Sequence, residues 1–398
     1  MPWWGWLIGG IALLGLELFL VEAEFYLVFI GVSAVIVGLL DLAGVGMAEW
    51  LQWLVFAALA VVTMVTFRRR LHTFIRGRVG HVRERITSGD RVVVPFPIAC
   101  GQCFFCRGAL PTGCERSNSN YGPEGGLVKQ KGAALFGYTD LYGGIAGGQA
   151  EAVRVPYADY GPRKVPAGLS DEQVLFLTDI FPTGWSAVDW AGVREGETVA
   201  VFGCGPVGLM AQKAAWLKGA AQVIAVDVVP YRLRAAEKTT KAVTINAREQ
   251  DPVERIRELT SGRGADVCID AVGLEVDRPL TKKVADVVLH HQAGDITALE
   301  RCMSAVRRGG RVSVVGVYAT RYDNYPLGQQ MDKGVSLHIG QAPVHNYIDE
   351  LLALVTDGKV RLDDIVSHVL PLSQAARAYE LFCKKEDDCV KVVLKPDA

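Results

Sequence analysis

Three apolar runs open the chain, and no Lys or Arg interrupts them before Arg68. Trp3 to Leu20 is broken only by Glu17, Phe25 to Met47 carries Asp41 near its end, and Trp50 to Phe67 holds 18 residues without a charge. Eighteen helical residues rise about 27 Å, close to a hydrocarbon thickness, so the pattern predicts three transmembrane helices. Trp3, Trp4, Trp6, Trp50 and Trp53 stand near run ends, where indole rings prefer the headgroup level. A signal peptide would need a basic leader and a cleavage site, and a buried hairpin would need a polar face; neither is present. The basic cluster Arg68, Arg69, Arg70, Arg76 and Arg78 sets the expected orientation. The N-terminus lies outside and everything after Arg78 in the cytoplasm, as in a multi-pass inner or plasma-membrane protein. Glu17, Glu22 and Glu24 read as helix-end or outer-loop acids rather than as an intramembrane proton site.

Beyond this stretch the pattern changes to short apolar strands alternating with amphipathic helices. "TVAVF", Thr198 to Phe202, runs straight into "GCGPVG". Gly203 permits a tight turn, Gly205 lets the backbone approach a pyrophosphate, and Gly208 lets the next helix pack closely on the strand. That helix points its free N–H groups at the phosphates. A second strand, "QVIAV", ends in Asp227, about 20 residues further on, where a carboxylate accepts from ribose hydroxyls. The acid repels a 2′-phosphate and favours NAD over NADP, although Arg232 lies close enough in sequence to keep NADP open. The segments "AVTI", "VERIRELT", "DVCIDAVG", "ALERCMSAV", "GRVSVVGVY" and "VSLHIG" continue the alternation. Six parallel strands with crossover helices form a doubly wound α/β sheet.

The formal net charge is −1, and no basic stripe is interleaved with stacking aromatics, so no nucleic-acid partner is expected. Of nine cysteines, Cys100, Cys103, Cys106 and Cys114 crowd into "ACGQCFFCRGALPTGC". Two-residue spacers turn successive thiolates toward one ion, and the return segment brings the fourth. Four sulfurs with no open position describe a closed structural Zn2+ site. The rival is an iron–sulfur cluster, against which stand the fourth spacing and the absence of Pro after Cys114.

Residues 3 to 78 resemble the small NfeD-like membrane proteins. From Gly89 onward the sequence resembles the zinc-containing medium-chain alcohol dehydrogenases, especially the glutathione-independent formaldehyde dehydrogenase branch. The motifs "GDRVVVPFPIACGQCFFC", "GGQAEAVRVPYAD", "FLTDIFPTGWSA", "VAVFGCGPVG", "DVCIDAVG" and "EDDCVKVVLKP" carry the likeness in order. The resemblance implies a partial GroES-like β-barrel domain over 79–170 and an NAD-binding domain over 171–341. The barrel is rejoined over 342–398, and 1–78 stands as a separate NfeD-like transmembrane segment. It implies Zn2+ and NAD as cofactors, and hydride transfer from a small alcohol or aldehyde hydrate to NAD; a homo-oligomer is left open.

By the same resemblance Asp179 is a ligand of a second, catalytic zinc. The companion Cys and the His of a Gly-His-Glu motif belong in the region that the apolar runs occupy. No cysteine precedes Cys100, and Gly80-His81 is followed by Val82 instead of Glu, so His81 reads as a junction residue. His290 and His291, in the insertion Gly273 to Gly294 typical of this branch, read as loop residues. The expectation is therefore an incomplete barrel and a dehydrogenase impaired by lost zinc ligands. The alternatives are an active dehydrogenase completed by a partner chain, a non-catalytic, membrane-tethered NAD-binding module and an artefactual gene fusion.

Overall fold

The apolar runs fold as three helices: α1 (Trp3–Phe19), α2 (Tyr26–Leu42) and α3 (Glu49–Ile75). The computed structural model describes residues 2–19, 26–45, 47–75, 85–118, 132–273, 296–318 and 325–396. Met1–Val82, with Arg107–Ala109, form one compact unit and the rest of the chain a second.

Within the first unit, α1 and α2 approach closely because glycine lines the crossing. A Cβ on Gly10 would lie 2.7 Å from Val35 Cγ2 and 2.8 Å from the Gly31 carbonyl oxygen. α3 joins them through Trp6, whose indole N–H donates to Gln52 Oε1 (2.9 Å) and whose ring meets Trp53 edge-on at 4.8 Å.

The three expected transmembrane helices are not found: among the described residues, no helix is long and apolar enough to cross a membrane. α1 and α2 have 17 described residues each, fewer than the about 20 that a spanning helix ordinarily takes. α3 is longer but begins at Glu49, takes in the buried polar Gln52 and runs on through Arg68, Arg69 and Arg70. The expected multi-pass placement, with its outside N-terminus and cytoplasmic remainder, falls with the spans on which it rested.

The second unit is built on one six-stranded sheet. Its strands are β5 (Thr198–Phe202), β6 (Gln222–Asp227), β7 (Val243–Asn246), β8 (Ala265–Asp270), β9 (Val306–Val314) and β10 (Ser336–Ile339). They lie in the order β10-β9-β8-β5-β6-β7, every neighbouring pair parallel, as the alternating pattern predicts. The central strands β5, β6 and β8 are largely apolar and buried because helices cover both faces. Alternate side chains of β5 divide between two cores. Val199 and Val201 pack with Phe181, Leu209, Met210 and Ile348, whereas Ala200 and Phe202 pack with Ile224, Ile256 and Met303.

Before the sheet come β1 (Val92–Val93), β2 (Pro97–Ile98), α4 (Phe104–Arg107), β3 (Ala134–Leu135), β4 (Arg163–Lys164), α5 (Asp171–Val174) and α6 (Ile180–Trp190). The sheet's helices are α7 (Pro206–Leu217), α8 (Pro230–Thr240), α9 (Pro252–Leu259), α10 (Thr297–Ala305) and α11 (Leu327–Lys333). The chain then runs through α12 (Val344–Thr356), β11 (His368–Pro371), α13 (Ala375–Lys384) and β12 (Val392–Lys395). Outside the large sheet, the described strands form three two-stranded ladders, β1-β4, β2-β3 and β11-β12.

Buried polar ties fasten the last stretch onto the sheet's helices. Lys213 Nζ on α7 donates to Asp364 Oδ2 (2.6 Å) and to the Arg361 carbonyl (2.9 Å). Tyr231 O–H on α8 donates to the Cys389 carbonyl (3.2 Å), and, away from the sheet's helices, Arg163 Nε on β4 pairs with Asp349.

Candidate functional site

β5 is flanked by β6 on one side and β8 on the other, so successive connections leave it in opposite directions. Ligands of open α/β sheets lie in the crevice at such a switch point, beyond the carboxyl ends of the strands. The glycine turn stands there. Gly203 has φ +98°, and a Cβ on it would come within 2.9 Å of the Ala271 carbonyl oxygen. A Cβ on Gly208 would sit 1.8 Å from the Gly203 carbonyl oxygen, so only glycine lets α7 start this close to the strand. A Cβ on Gly205 would meet nothing within 4 Å, which leaves the face of the turn open to a phosphate. Pro206 begins α7 without the amide hydrogen that a first helical residue would leave unpaired.

Asp227 ends β6 beside this turn, as its spacing predicts, and has a second task that the spacing did not reveal. Oδ2 accepts the Cys204 N–H (2.6 Å), while Oδ1 accepts those of Val228 (2.7 Å) and Val229 (2.9 Å). The carboxylate thus clamps the glycine turn to the end of the neighbouring strand and keeps lone pairs for ribose hydroxyls. The Arg232 guanidinium lies 5.6 Å from the centre of the Phe382 ring, next to the Tyr231 ring.

The four crowded cysteines converge. Cys100, Cys103, Cys106 and Cys114 are all buried, with their sulfurs within 4.8 Å of one another. Zinc–sulfur bonds of about 2.3 Å in a tetrahedron set sulfurs about 3.8 Å apart, so the pocket fits Zn2+ with a small contraction. The Cys100 N–H points at Cys114 Sγ (3.4 Å) and the Gln102 N–H at Cys100 Sγ (3.4 Å), contacts that favour thiolates. The Cys114 thiol is held down at about 4, chiefly by its hydrogen bond with Cys106, whose own thiol is pushed up by the same contact. Gly101, at φ +74°, makes the turn between the first two cysteines, with the Tyr160 ring where a Cβ would stand.

Asp179 precedes α6 and lines a cavity of about 910 Å³ with Phe96, Phe136, Phe176, Thr178 and Lys391. Burial pushes its carboxyl above the ordinary range, opposed by the Thr183 hydroxyl, which donates to Oδ1 (2.9 Å), and by the charge of Lys391. Its side chain still faces the open cavity, so water reaches it and moderates that rise. Burial in turn lowers the Lys391 ammonium, with Asp179 opposing. A lysine within the valines of "CVKVV" was the only signal in the sequence for this facing charge.

Among the described residues, the four cysteines are the only group of three or more potential metal ligands. Asp179 has no described Cys or His beside it, so the described residues do not fit a second zinc. His81, His290 and His291 lie outside the described residues.

Residues 206–278 match the family model described as zinc-binding dehydrogenase. The chain is 46% identical over 321 residues to a zinc-type alcohol dehydrogenase-like protein of Bacillus subtilis, covering 80% of this chain and 82% of that one. A glutathione-independent formaldehyde dehydrogenase of Pseudomonas aeruginosa is 32% identical over 321 residues, 76% of each chain. Among solved structures, an alcohol dehydrogenase from Thermus superposes with a TM-score of 0.67 at 37% identity, covering 78% of this chain and 80% of that one. The family is thereby fixed, while the formaldehyde dehydrogenase branch is one of several similar relatives. On its glycine turn, its cysteine cluster and these likenesses, the chain belongs to the zinc-type medium-chain alcohol dehydrogenases, whose cofactors are zinc and NAD.

Proposed function

We propose that the protein binds NAD across the Gly203–Gly208 turn and Asp227, and holds one structural zinc on Cys100, Cys103, Cys106 and Cys114. Its ability to pass hydride from an alcohol or aldehyde hydrate to NAD is impaired. The carrying observation is the contrast between two positions among the described residues: four converging sulfurs in one, and in the other Asp179 with no Cys or His beside it. A catalytic zinc polarises the substrate oxygen when about three protein ligands hold it with a vacant position. What the chain's own residues supply is a largely apolar cavity lined by β1, β12 and the turn before α6, with the opposed charges of Asp179 and Lys391 in its wall. In this reading 79–170 and 342–398 together form the lobe that carries the zinc, and 171–341 the NAD-binding domain.

The test is NADH production from methanol, ethanol and formaldehyde, with zinc counted per chain in the same preparation and Asp179→Ala as control. One zinc per chain and turnover no higher than the control are expected. Two zincs and robust turnover that vanishes in Asp179→Ala would overturn the impairment. The second reading, an NAD-binding module without catalysis, draws on the same under-ligated Asp179 and predicts NADH binding with no turnover on any alcohol.

A further inference from the structure

Asp270 ends β8 as a fully buried carboxylate that neither clamps the glycine turn nor faces a metal position. Strand register puts it at one level with its neighbours, opposite Phe202 at the end of β5 and opposite Val314 at the end of β9. Its bonds tie together the segments that leave the carboxyl ends of these three strands. The Ala271 N–H donates to the Phe202 carbonyl (2.9 Å), so the residue after Asp270 is held to β5 where the glycine turn begins. The Asp270 carbonyl accepts the N–H groups of Val315 and Gly316, both at 2.9 Å. Its side chain takes the Val272 N–H on Oδ1 (3.0 Å) and the Tyr318 O–H on Oδ2. The Val317 N–H reaches back to the Val272 carbonyl (3.3 Å). Gly316 leaves no room between them: a Cβ there would lie 2.6 Å from the Val272 carbonyl oxygen and 3.0 Å from Asp270 Oδ1.

Strand order says which half of the cofactor this assembly meets. Asp227, the ribose acid of the adenosine half, ends β6 on one side of the glycine turn. With the pyrophosphate at the turn, the remaining half of a dinucleotide extends the other way, over the ends of β8 and β9. Those ends carry Asp270 and residues 315–318. The Tyr318 hydroxyl is a side-chain donor that fastens this segment to Asp270. Burying a carboxylate costs free energy unless it is bonded, and here the bonds go to the main chain and a tyrosine instead of a cation.

We infer that Asp270 and Tyr318 are a positioning pair, which fixes residues 315–318 as the seat of the nicotinamide half of the cofactor. The pair presupposes that the glycine turn and Asp227 bind NAD. Neither residue is a catalytic residue; each acts through the backbone it holds.

The experiment measures calorimetric affinities of the full-length chain for two probes, NADH and ADP-ribose, the latter lacking the nicotinamide. Wild type, Tyr318→Phe and Asp270→Asn are compared, with thermal melts confirming that the variants fold; Tyr318→Phe removes a single hydroxyl and serves if Asp270→Asn does not fold. Each variant is expected to weaken NADH roughly three- to tenfold, the worth of one lost hydrogen bond. Binding of ADP-ribose should change less than about twofold, since the groups that seat it are untouched. Equal weakening of both probes marks a merely structural role and overturns the pair, as does unchanged NADH affinity in both variants. Wild type that binds neither probe overturns the cofactor reading and the pair with it, a result distinct from either.

Discussion

Asp270 illustrates how a single side chain converts position into pH dependence. Burial raises its carboxyl from 3.8 to about 6, and the Tyr318 and Val272 hydrogen bonds oppose part of that rise. A folded-state value above the unfolded one means that folding favours the protonated acid. Its contribution is fully present below about pH 4 and is lost as pH climbs through 6, about 3 kcal/mol in all. The facing thiol, Cys302, is pushed up by its own burial and also feels the Asp270 charge. Asp270→Asn removes the titration, so wild type should lose stability relative to the variant between pH 4 and 6.5, by urea melts at each pH. A constant difference across that range would mean that Asp270 ionises as freely folded as unfolded. At this scale the sequence was legible where chemistry is local. Gly203, Gly208 and the four cysteines stand at fixed short offsets, and Asp227 at a known remove. Asp270 and Tyr318 are 48 residues apart and meet only because β8 and β9 are neighbours, which no spacing announces.

Elements were legible to the extent that their pattern had one physical solution. "TVAVF" followed by a glycine turn and an apolar helix could only be a strand buried on both faces, and β5 and α7 bear this out. The apolar runs had two solutions, bilayer or bundle, and hydropathy alone chose the first. The glycine contact between α1 and α2 and the Trp6–Gln52 bond belong to helices packing on each other. Among the described residues, α1 and α2 count 17 each. The zinc knuckle is the shortest element with its own chemistry. It has little regular structure, a four-residue helix and short turns, so a metal bound there would stand in for a core. Cys103→Ser leaves three sulfurs and an open position. Elemental analysis after dialysis against a chelator should show the zinc lost, and the melting temperature should drop by about 4 °C or more. Zinc retained with unchanged melting, or iron in place of zinc, would remove the closed-site assignment.

At the scale of the molecule, the sequence told which segments belong to the sheet but not what binds the last fifty residues to it. Lys213 shows why. It sits within the α7 sequence "GLMAQKAAWL", where a lysine reads as an exposed charge, yet its side chain is 8% exposed and bonded to Asp364 and the Arg361 carbonyl. The two partners differ in their access to water, Asp364 being 23% exposed, and this asymmetry sets the prediction. Lys213→Met leaves a carboxylate that can turn toward solvent, and the methionine fills the space of the lysine stem; the cost should be about 1–2 kcal/mol. Asp364→Asn strands the deeper ammonium with one carbonyl for a partner and should cost more, about 3 kcal/mol. The double variant removes both charges and should be more stable than Asp364→Asn alone, because the uncompensated ion is the larger penalty. Urea unfolding of the four proteins gives the coupling directly. Additive losses would mean that the pair is solvated and contributes nothing as a pair. A smaller loss for Asp364→Asn than for Lys213→Met would place the ammonium nearer water than the carboxylate. Either result would leave the apolar core that α12 shares with α6 and the turn before it, Ile348 and Leu351 with Phe181 and Leu177, to hold the C-terminal stretch on the sheet.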